Sequence, residues 1–517
     1  MNVFEFRNRL IMDYSKYVRG FINIQDEHLA RHVDQGLDAG VFWPEPLIQL
    51  NPSFEPGARI EDLVDAKVLH ETCARIFRKD KDNPVYPGGR SLRLHKHQEE
   101  AIRHARSSAN YVLTTGTGSG KSLAYIVPIV DHVLRRGPGR GIQAIVIYPM
   151  NALANSQENE LRKFLHLGFP DNKGPVTFRK YTGQENDEER EKIIADPPDI
   201  LLTNYVMLEL LLTRPHEKRL IEAAKGLKFL VLDELHTYRG RQGSDVALLV
   251  RRVKEAMQAD ELQYVGTSAT LAGSGTFEEQ QREVAAMASL LFGSEVKPEH
   301  VIGETLRRTT AARDMTAPDF VELLRRRISD LVAKPPEKFA DFVLDPLSIW
   351  LEDTFGLVKD PVSDRIRRRA PRGIQGEDGA AAELNALTGV PLDRCGSVIQ
   401  EGLLAGFRCE RNPETGFPPF AFRLHQFIGR GDTVYASLEA PADRYVTFNR
   451  QQFVPGDREK ILLPLAFCRE CGQEYYAVQA KVREDGRVLR VTPREIGDQS
   501  DDEILPGYLH VSDKNPW

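Results

Sequence analysis

The chain is poor in cysteine, with 5 among 517 residues, an odd and scattered set. That count excludes a disulfide scaffold and makes a reducing compartment the expectation. No apolar run approaches the ~18 residues that a membrane-spanning helix requires, so no membrane partner is expected. Met1-Asn2-Val3-Phe4-Glu5-Phe6-Arg7 carries early charges and no apolar core, unlike a secretory leader. The cytoplasm is the expected location. A large excess of either charge is also lacking. A net charge of −6 removes the argument that a basic chain binds nucleic acid, so any such surface must be local. No internal repeat is visible. What is present is ordinary globular material, 41% hydrophobic and 28% charged, long enough for three or four domains at about 150 residues each.

Four stretches differ in pattern. Residues 1–84 mix helical periodicity (4–21 and 60–77) with prolines at Pro44, Pro46 and Pro52, and read as a helical N-terminal domain. Pro84 and Pro87-Gly88-Gly89 form a hinge. Across 85–300, short apolar strands at 111–113, 144–148, 200–203, 229–232 and 264–268 alternate with helical stretches. Several lack polar alternation, as central strands covered on both faces do. This pattern predicts an α/β fold with a parallel sheet flanked by helices. Residues 301–419 read as a helical accessory region, with helices over 318–332 and over 380–404, the latter broken at Gly389-Val390-Pro391. Residues 420–517 read as a β-rich accessory region with strands near 445–448 and 475–478. The ending, Asp513-Lys514-Asn515-Pro516-Trp517, does not resemble a domain finish, and a fragment is expected.

The most informative segment is Thr115-Gly116-Thr117-Gly118-Ser119-Gly120-Lys121-Ser122, between the strand at 111–113 and a helical stretch at 123–134. Glycines let successive backbone N–H groups point at one anion, and the helix N-terminus adds partial positive charge. Lys121 would reach the β- and γ-phosphates of ATP, and the Ser122 hydroxyl would sit on Mg²⁺. Thr115 departs from the consensus glycine, but Gly116 and Gly118 supply the turn. The second motif, Asp233-Glu234-Leu235-His236, follows the strand at 229–232. Asp233 would hold Mg²⁺ through its water shell, and Glu234 would polarise the attacking water. Thr267-Ser268-Ala269-Thr270 lies at another strand end, where hydroxyls can link a nucleotide site to a moving lobe. Gln98, beside His97, offers a donor and an acceptor for an adenine edge.

Gln98, 115–122, 233–236 and 267–270, in this order, resemble the first RecA-like lobe of superfamily 2 (DEAD/DEAH-like) helicases. Tyr148-Pro149-Met150-Asn151-Ala152-Leu153-Ala154 is similar to motif Ia of that family, Tyr181-Thr182-Gly183 to motif Ib, and Thr203-Asn204-Tyr205 to the motif that follows. The resemblance implies an ATP-dependent DNA helicase or translocase. In it Pro149, Asn151, Thr182, Gly183, Thr203 and Asn204 would grip one strand's phosphates, and His236, Ser268 and Thr270 would couple hydrolysis to that grip. His236-Thr237-Tyr238-Arg239-Gly240, Leu424-His425-Gln426-Phe427 and Phe467-Cys468-Arg469-Glu470-Cys471-Gly472 further resemble large bacterial antiphage-defence helicases of the Druantia and DISARM type, which carry a cysteine-bearing C-terminal module. Defence or DNA repair, with other defence-system subunits as partners, is the implied setting.

One departure from the family is large. Superfamily 2 motors have two RecA-like lobes, and no second parallel-sheet pattern is visible here. Ile428-Gly429-Arg430-Gly431 has no motif set around it and reads as accessory β structure. Without a second lobe the chain is expected to bind ATP but hydrolyse it poorly. A nucleotide-gated DNA-binding scaffold is then the rival reading. Cys468 and Cys471 are half of a tetrahedral zinc site. Cys409 and His425 are candidates to complete it, and two reduced thiols are the alternative. Cys73 and Cys395 read as core. The basic run at 365–372 reads either as a solvated face or as a phosphate-backbone contact.

Overall fold

The computed structural model describes residues 2–116, 118–269, 276–360, 365–429, 433–482, 488–494 and 504–512. Thr117, Thr270, Arg430 and Gly431 lie outside the described residues. The chain forms two compact units. One comprises Pro52–Arg308 with Leu357–Arg368, and the other Met1–Asn51, Thr309–Gly356 and Arg369–Trp517.

The first unit is built on β1 (Tyr111–Thr114), β2 (Ala144–Tyr148), β3 (Phe178–Tyr181), β4 (Ile200–Asn204), β5 (Phe229–Leu232), β6 (Gln263–Ser268) and β7 (Val301–Gly303). They form one sheet in the order β7-β1-β6-β5-β2-β4-β3, parallel throughout. The apolar runs are covered on both sides. Tyr111, Leu113, Val146, Leu202 and Val231 enter one core, while Val112, Ile145, Ile147, Leu201 and Leu230 enter the opposite one. Alternation is present, but both faces are apolar, which is why no polar positions appear in the sequence.

The helix after the phosphate loop, Leu123–Arg136, contains Pro128. A helix-interior proline leaves the carbonyl four residues earlier without its N–H partner. That carbonyl belongs to Ala124, and the buried Tyr111 hydroxyl donates to it at 2.9 Å. Strand and helix are thereby tied together on either side of the loop that joins them.

The five strands expected from the sequence are present, with ends shifted by at most a residue. Two others carried no clear signal. β3 is an edge strand whose Arg179 and Lys180 interrupt its apolar pattern, and β7 has three residues. The stretch at 60–77 is not one helix. Ile60–Asp65 and Cys73–Ile76 are separate short helices, with Lys67 between them at φ 59°.

In the second unit, Pro318–Ser329, Pro346–Phe355, Ala380–Thr388 and Leu392–Arg408 pack around Trp350, Phe342, Leu384 and Ile399. Leu47–Asn51 lies between Arg372–Gly373 and Ala421–His425 in an antiparallel sheet. A six-stranded sheet spans Tyr435–Ala436 to Ile504–Leu509, and its ladders are antiparallel. Among the described residues no helix is long and apolar enough to cross a membrane.

Candidate active site at the C-terminal edge of the parallel sheet

The sheet order decides the site. β6 lies between β1 and β5, so the segments after three strands far apart in sequence emerge side by side. Ser268 is in register with Thr114, and Leu232 with Gly266. The phosphate loop follows β1, with Gly118 at φ 86° and Gly120 at φ 72°, a region open to glycine at little cost. Thr115 and Ser119 share a buried hydrogen bond between their hydroxyls at 2.7 Å. A Cβ on Gly120 would lie 2.5 Å from Gln98 Nε2.

Gln98 is buried, and its amide is committed to backbone. Nε2 donates to the Gly120 carbonyl at 2.8 Å, and Oε1 accepts from the His95 N–H at 2.8 Å. The adenine edge expected as its partner would have to displace one of these bonds. In this arrangement Gln98 clasps the loop to the helix Lys96–Arg106. His97 does the same, with Nε2 3.1 Å from the Ser119 carbonyl. A carbonyl only accepts, so Nε2 carries the proton. Burial lowers the His97 pKa, which suits a neutral ring.

Lys121 reaches across to Glu234, with Nζ 3.3 Å from Oε1 and both side chains largely buried at 11% and 19% exposure. Glu234 has φ 53°. A left-handed backbone at a non-glycine residue costs about 1–2 kcal/mol, and strain of this kind concentrates at functional sites. Its Oε2 is buried with no hydrogen-bond partner, although His236 Nδ1 lies 3.4 Å away in ion-pair range. Ser268 Oγ is 3.4 Å from the same nitrogen. Thr267 opens the Thr267–Thr270 motif, and the sequence alone assigns it no separate role. It is fully buried, accepts from the Glu234 N–H at 3.1 Å, and donates to Asp233 Oδ1. Burial raises the Asp233 pKa, the Thr267 hydrogen bond opposes the shift, and Glu234 adds to it.

These residues fit a magnesium nucleotide. The glycine turn presents backbone N–H groups, Lys121 has a carboxylate as its hydrogen-bond partner among the described residues, and Glu234 keeps a buried acceptor oxygen for a water. Residues 95–277 match the model of the DEAD/DEAH box helicase family. The segment is a DEAD/DEAH-type helicase domain. Among curated proteins, an uncharacterized ATP-dependent helicase of Methanocaldococcus jannaschii is 28% identical over 329 residues, 60% of this chain and 46% of that protein. The ATP-dependent helicase YprA of Bacillus subtilis is 32% identical over 36% of this chain and 24% of its own length. The Druantia protein DruE of Escherichia coli is 25% identical over 52% and 20%. The chain thus spans less than half the length of these relatives. Among solved structures, the DUF1998 helicase MrfA bound to DNA and AMPPNP aligns over 57% of this chain and 39% of its own, at 22% identity and a TM-score of 0.39. The seven-stranded parallel sheet of the helicase domain has the expected RecA-like fold.

Within the helicase domain, the six residues expected on a nucleic-acid strand cluster at the ends of β2, β3 and β4. Asn204 Nδ2 donates to Asn151 Oδ1 at 2.7 Å and to the Thr182 carbonyl at 3.0 Å. Two of the six have their hydroxyls turned inward. Thr203 is fully buried and donates to the Tyr181 carbonyl at 2.6 Å. Thr182 is buried and donates to Glu185 Oε1 at 3.0 Å. Glu185 also accepts from the N–H groups of Thr182 and Gly183, at 2.8 and 2.9 Å. These threonines therefore shape the loops, and Pro149, Asn151, Gly183 and Asn204 keep accessible surface.

The basic run is not an open phosphate-binding face. Arg365 lies over the Phe277 ring at 4.1 Å. Arg367 pairs with Asp360 at 2.5 Å, Arg368 with Glu304 at 3.1 Å, and Arg372 with Glu383 at 2.5 Å. The cysteines divide as expected for the core pair, with Cys73 and Cys395 buried. The Cys409 thiol donates to the Glu337 carbonyl at 3.1 Å, and His425 is exposed. Among the described residues no three His, Cys, Asp or Glu side chains gather into a metal-holding group.

Proposed function

We propose that the chain is the nucleotide-binding portion of an ATP-driven DNA helicase or translocase, serving antiphage defence or DNA repair in the cytoplasm. The observation that carries this reading is the convergence of Lys121, Glu234, Asp233 and Thr267 at one sheet edge. The ATP-dependent helicases among its relatives support it, and DruE supports the defence setting, in which other defence-system subunits would be partners. Domain boundaries near residues 84, 300 and 419 belong to the same proposal. Gly116, Thr117, Gly118, Ser119, Gly120, Lys121 and Ser122 would hold the phosphates, with Gln98 and His97 fixing the loop from behind. Ser122 and Asp233 would hold Mg²⁺, which supplies charge neutralisation on the β- and γ-phosphates. Glu234 would take a proton from the attacking water at its carboxylate, and Lys121 would leave Glu234 for phosphate. His236 and Ser268, with Thr270, would pass the change to the loops bearing Pro149, Asn151, Thr182, Gly183, Thr203 and Asn204, and through them to DNA. Zinc at Cys468 and Cys471 belongs to the proposal only with two further ligands.

A second reading is a half-motor or nucleotide-gated DNA-binding scaffold that needs another lobe or partner for hydrolysis. It is favoured by the β-ladders outside the helicase sheet, which are antiparallel among the described residues. The test is ATP affinity and DNA-stimulated ATPase for the wild type and Lys121→Ala. Lost nucleotide binding in Lys121→Ala is expected; unchanged binding refutes the site. ATP binding without DNA-stimulated turnover in the wild type would favour the scaffold.

A further inference from the structure

A second charged pair touches the phosphate loop from the β7 side of β1, across β1 from β6 and β5. Glu304 is the first residue after β7, which pairs in parallel with β1, so Glu304 emerges beside the start of the loop. Its Oε1 accepts a hydrogen bond from the Gly116 N–H. Arg368 closes the strand Ile366–Arg368, which pairs antiparallel with Leu357–Lys359, a hairpin belonging to the same unit. Arg368 Nη2 donates to Glu304 Oε1 at 3.1 Å, and Nε to Oε2 at 3.5 Å. Both side chains are 15% exposed. A Cβ on Gly116 would lie 2.7 Å from Glu304 Oε1 and 3.1 Å from Arg368 Nη2. A side chain at 116 would therefore push the carboxylate and guanidinium away from the loop.

A carboxylate beside a polyphosphate site is unfavourable by itself. Like charges a few ångströms apart repel strongly where water is partly excluded. A guanidinium held in fork geometry cancels that charge while leaving the carboxylate free to accept the N–H. We propose that Glu304 and Arg368 are positioning residues for nucleotide binding. Glu304 fixes the entrance of the phosphate loop through the Gly116 N–H, and Arg368 masks the Glu304 charge from the triphosphate. The inference rests on the phosphate-site reading above and adds two residues, one from far along the chain, that no motif contains.

The test is Mg·ATP affinity by titration calorimetry on the full chain, with thermal melting of each variant. Arg368→Ala unmasks the carboxylate and should weaken Mg·ATP by about tenfold or more, a loss that grows at low salt. Glu304→Gln keeps an acceptor for Gly116 without the charge, and should bind within about threefold of wild type. The double variant Arg368→Ala/Glu304→Gln should recover most of the affinity lost in Arg368→Ala. A pair that only braced the fold would give no recovery. Wild-type affinity in Arg368→Ala, or a double variant no better than Arg368→Ala, overturns the proposal. If Arg368→Ala does not fold, Arg368→Gln, which keeps the side-chain stem, carries the same comparison. Lys121→Ala separates the two readings. If it retains ATP binding, the phosphate site itself is wrong. If it loses binding while the Glu304 and Arg368 variants are silent, only the present proposal fails.

Discussion

Thr267→Val isolates one hydroxyl at the centre of the site. Thr267 is fully buried, and valine matches its shape, so the substitution leaves the packing of β6 in place. Two bonds disappear. One is donated to the Asp233 carboxylate, and the other is accepted from the Glu234 N–H at 3.1 Å. A hydrogen bond to a charged group contributes about 1.5–3 kcal/mol, and a stranded buried N–H costs about 1–3 kcal/mol. The two are coupled through one oxygen, so their sum overstates the effect. About 2 kcal/mol on the arrangement of the acid pair corresponds to ~30-fold in rate. The expected result is a ~30-fold drop in DNA-stimulated turnover relative to wild type. ATP affinity should change by less than about threefold, because Lys121 and the glycine turn are untouched. Thr267→Ser, which restores the hydroxyl, should recover most of the activity. Turnover and ATP affinity are read by a coupled ATPase assay and calorimetry. Wild-type turnover in Thr267→Val, or a Thr267→Ser variant as slow as valine, would refute the role given to this hydroxyl.

Glu234→Gln should bind Mg·ATP normally but turn it over at least about a hundredfold more slowly, the loss expected of a missing general base; a burst-free single-turnover assay checks this, and wild-type rates would reassign the base. Asp233→Asn is predicted to stabilise the nucleotide-free protein at pH 8. Burial raises the Asp233 pKa, so the folded state holds that proton more tightly than the unfolded chain. The stability linked to the proton is present in acid and lost as pH rises through the folded value. Urea unfolding should therefore show the asparagine advantage, full at pH 8, shrinking as pH falls toward the unfolded aspartate value of about 3.9, and a gap constant down to that pH would contradict the burial argument. Tyr111→Phe strips the Ala124 carbonyl of its replacement donor and should cost about 1–3 kcal/mol of stability. The same change in a Pro128→Ala background, where a backbone N–H is restored, should cost clearly less, and equal costs in both backgrounds would sink the link.

The parallel sheet was legible because its central strands are apolar on both faces and alternate with helical stretches. The elements that stayed hidden had physical reasons. Arg179 and Lys180 sit on an edge strand, where one face meets water, and Val301–Gly303 is too short to carry a period. The phosphate loop and acid motif were legible because glycine, lysine and paired acids are required by the chemistry itself. Gln98 was legible as a site residue but not in its contacts, since an amide suits a nucleobase and a backbone carbonyl equally. Thr182 and Thr203 show the same limit. Their hydroxyls face inward, and nothing in a Thr-Gly or Thr-Asn dipeptide distinguishes a loop-shaping hydroxyl from a ligand-binding one. Glu304 and Arg368 had no signal at all, because 188 residues separate Gly116 from Glu304 and 64 more lead to Arg368.

A common rule links the three carboxylates that meet the helicase domain's anion-binding elements. Glu234 occupies Lys121, Glu304 occupies the Gly116 N–H, and Glu185 occupies the N–H groups of Thr182 and Gly183. Each element carries donors that suit an anion, and each is satisfied by an acid of the chain itself. Unpaired donors in partly buried loops are costly, so this self-occupation stabilises the loops before any ligand arrives. It also means that, on the proposed reading, nucleotide affinity at Lys121 is a difference between phosphate and the Glu234 carboxylate. Two of the acids have a further place to go or a counterion. In the proposed mechanism Glu234 would have a water to activate once Lys121 moved to phosphate, and Glu304 has Arg368. Glu185 has neither among the contacts of its loop, where it binds Thr182 and Gly183 on both oxygens. On the proposed reading Lys121 exchanges Glu234 for phosphate, whereas Glu304, neutralised by Arg368, stays on the Gly116 N–H, and the loop after β3 likewise holds Glu185 in place beside the exposed Gly183.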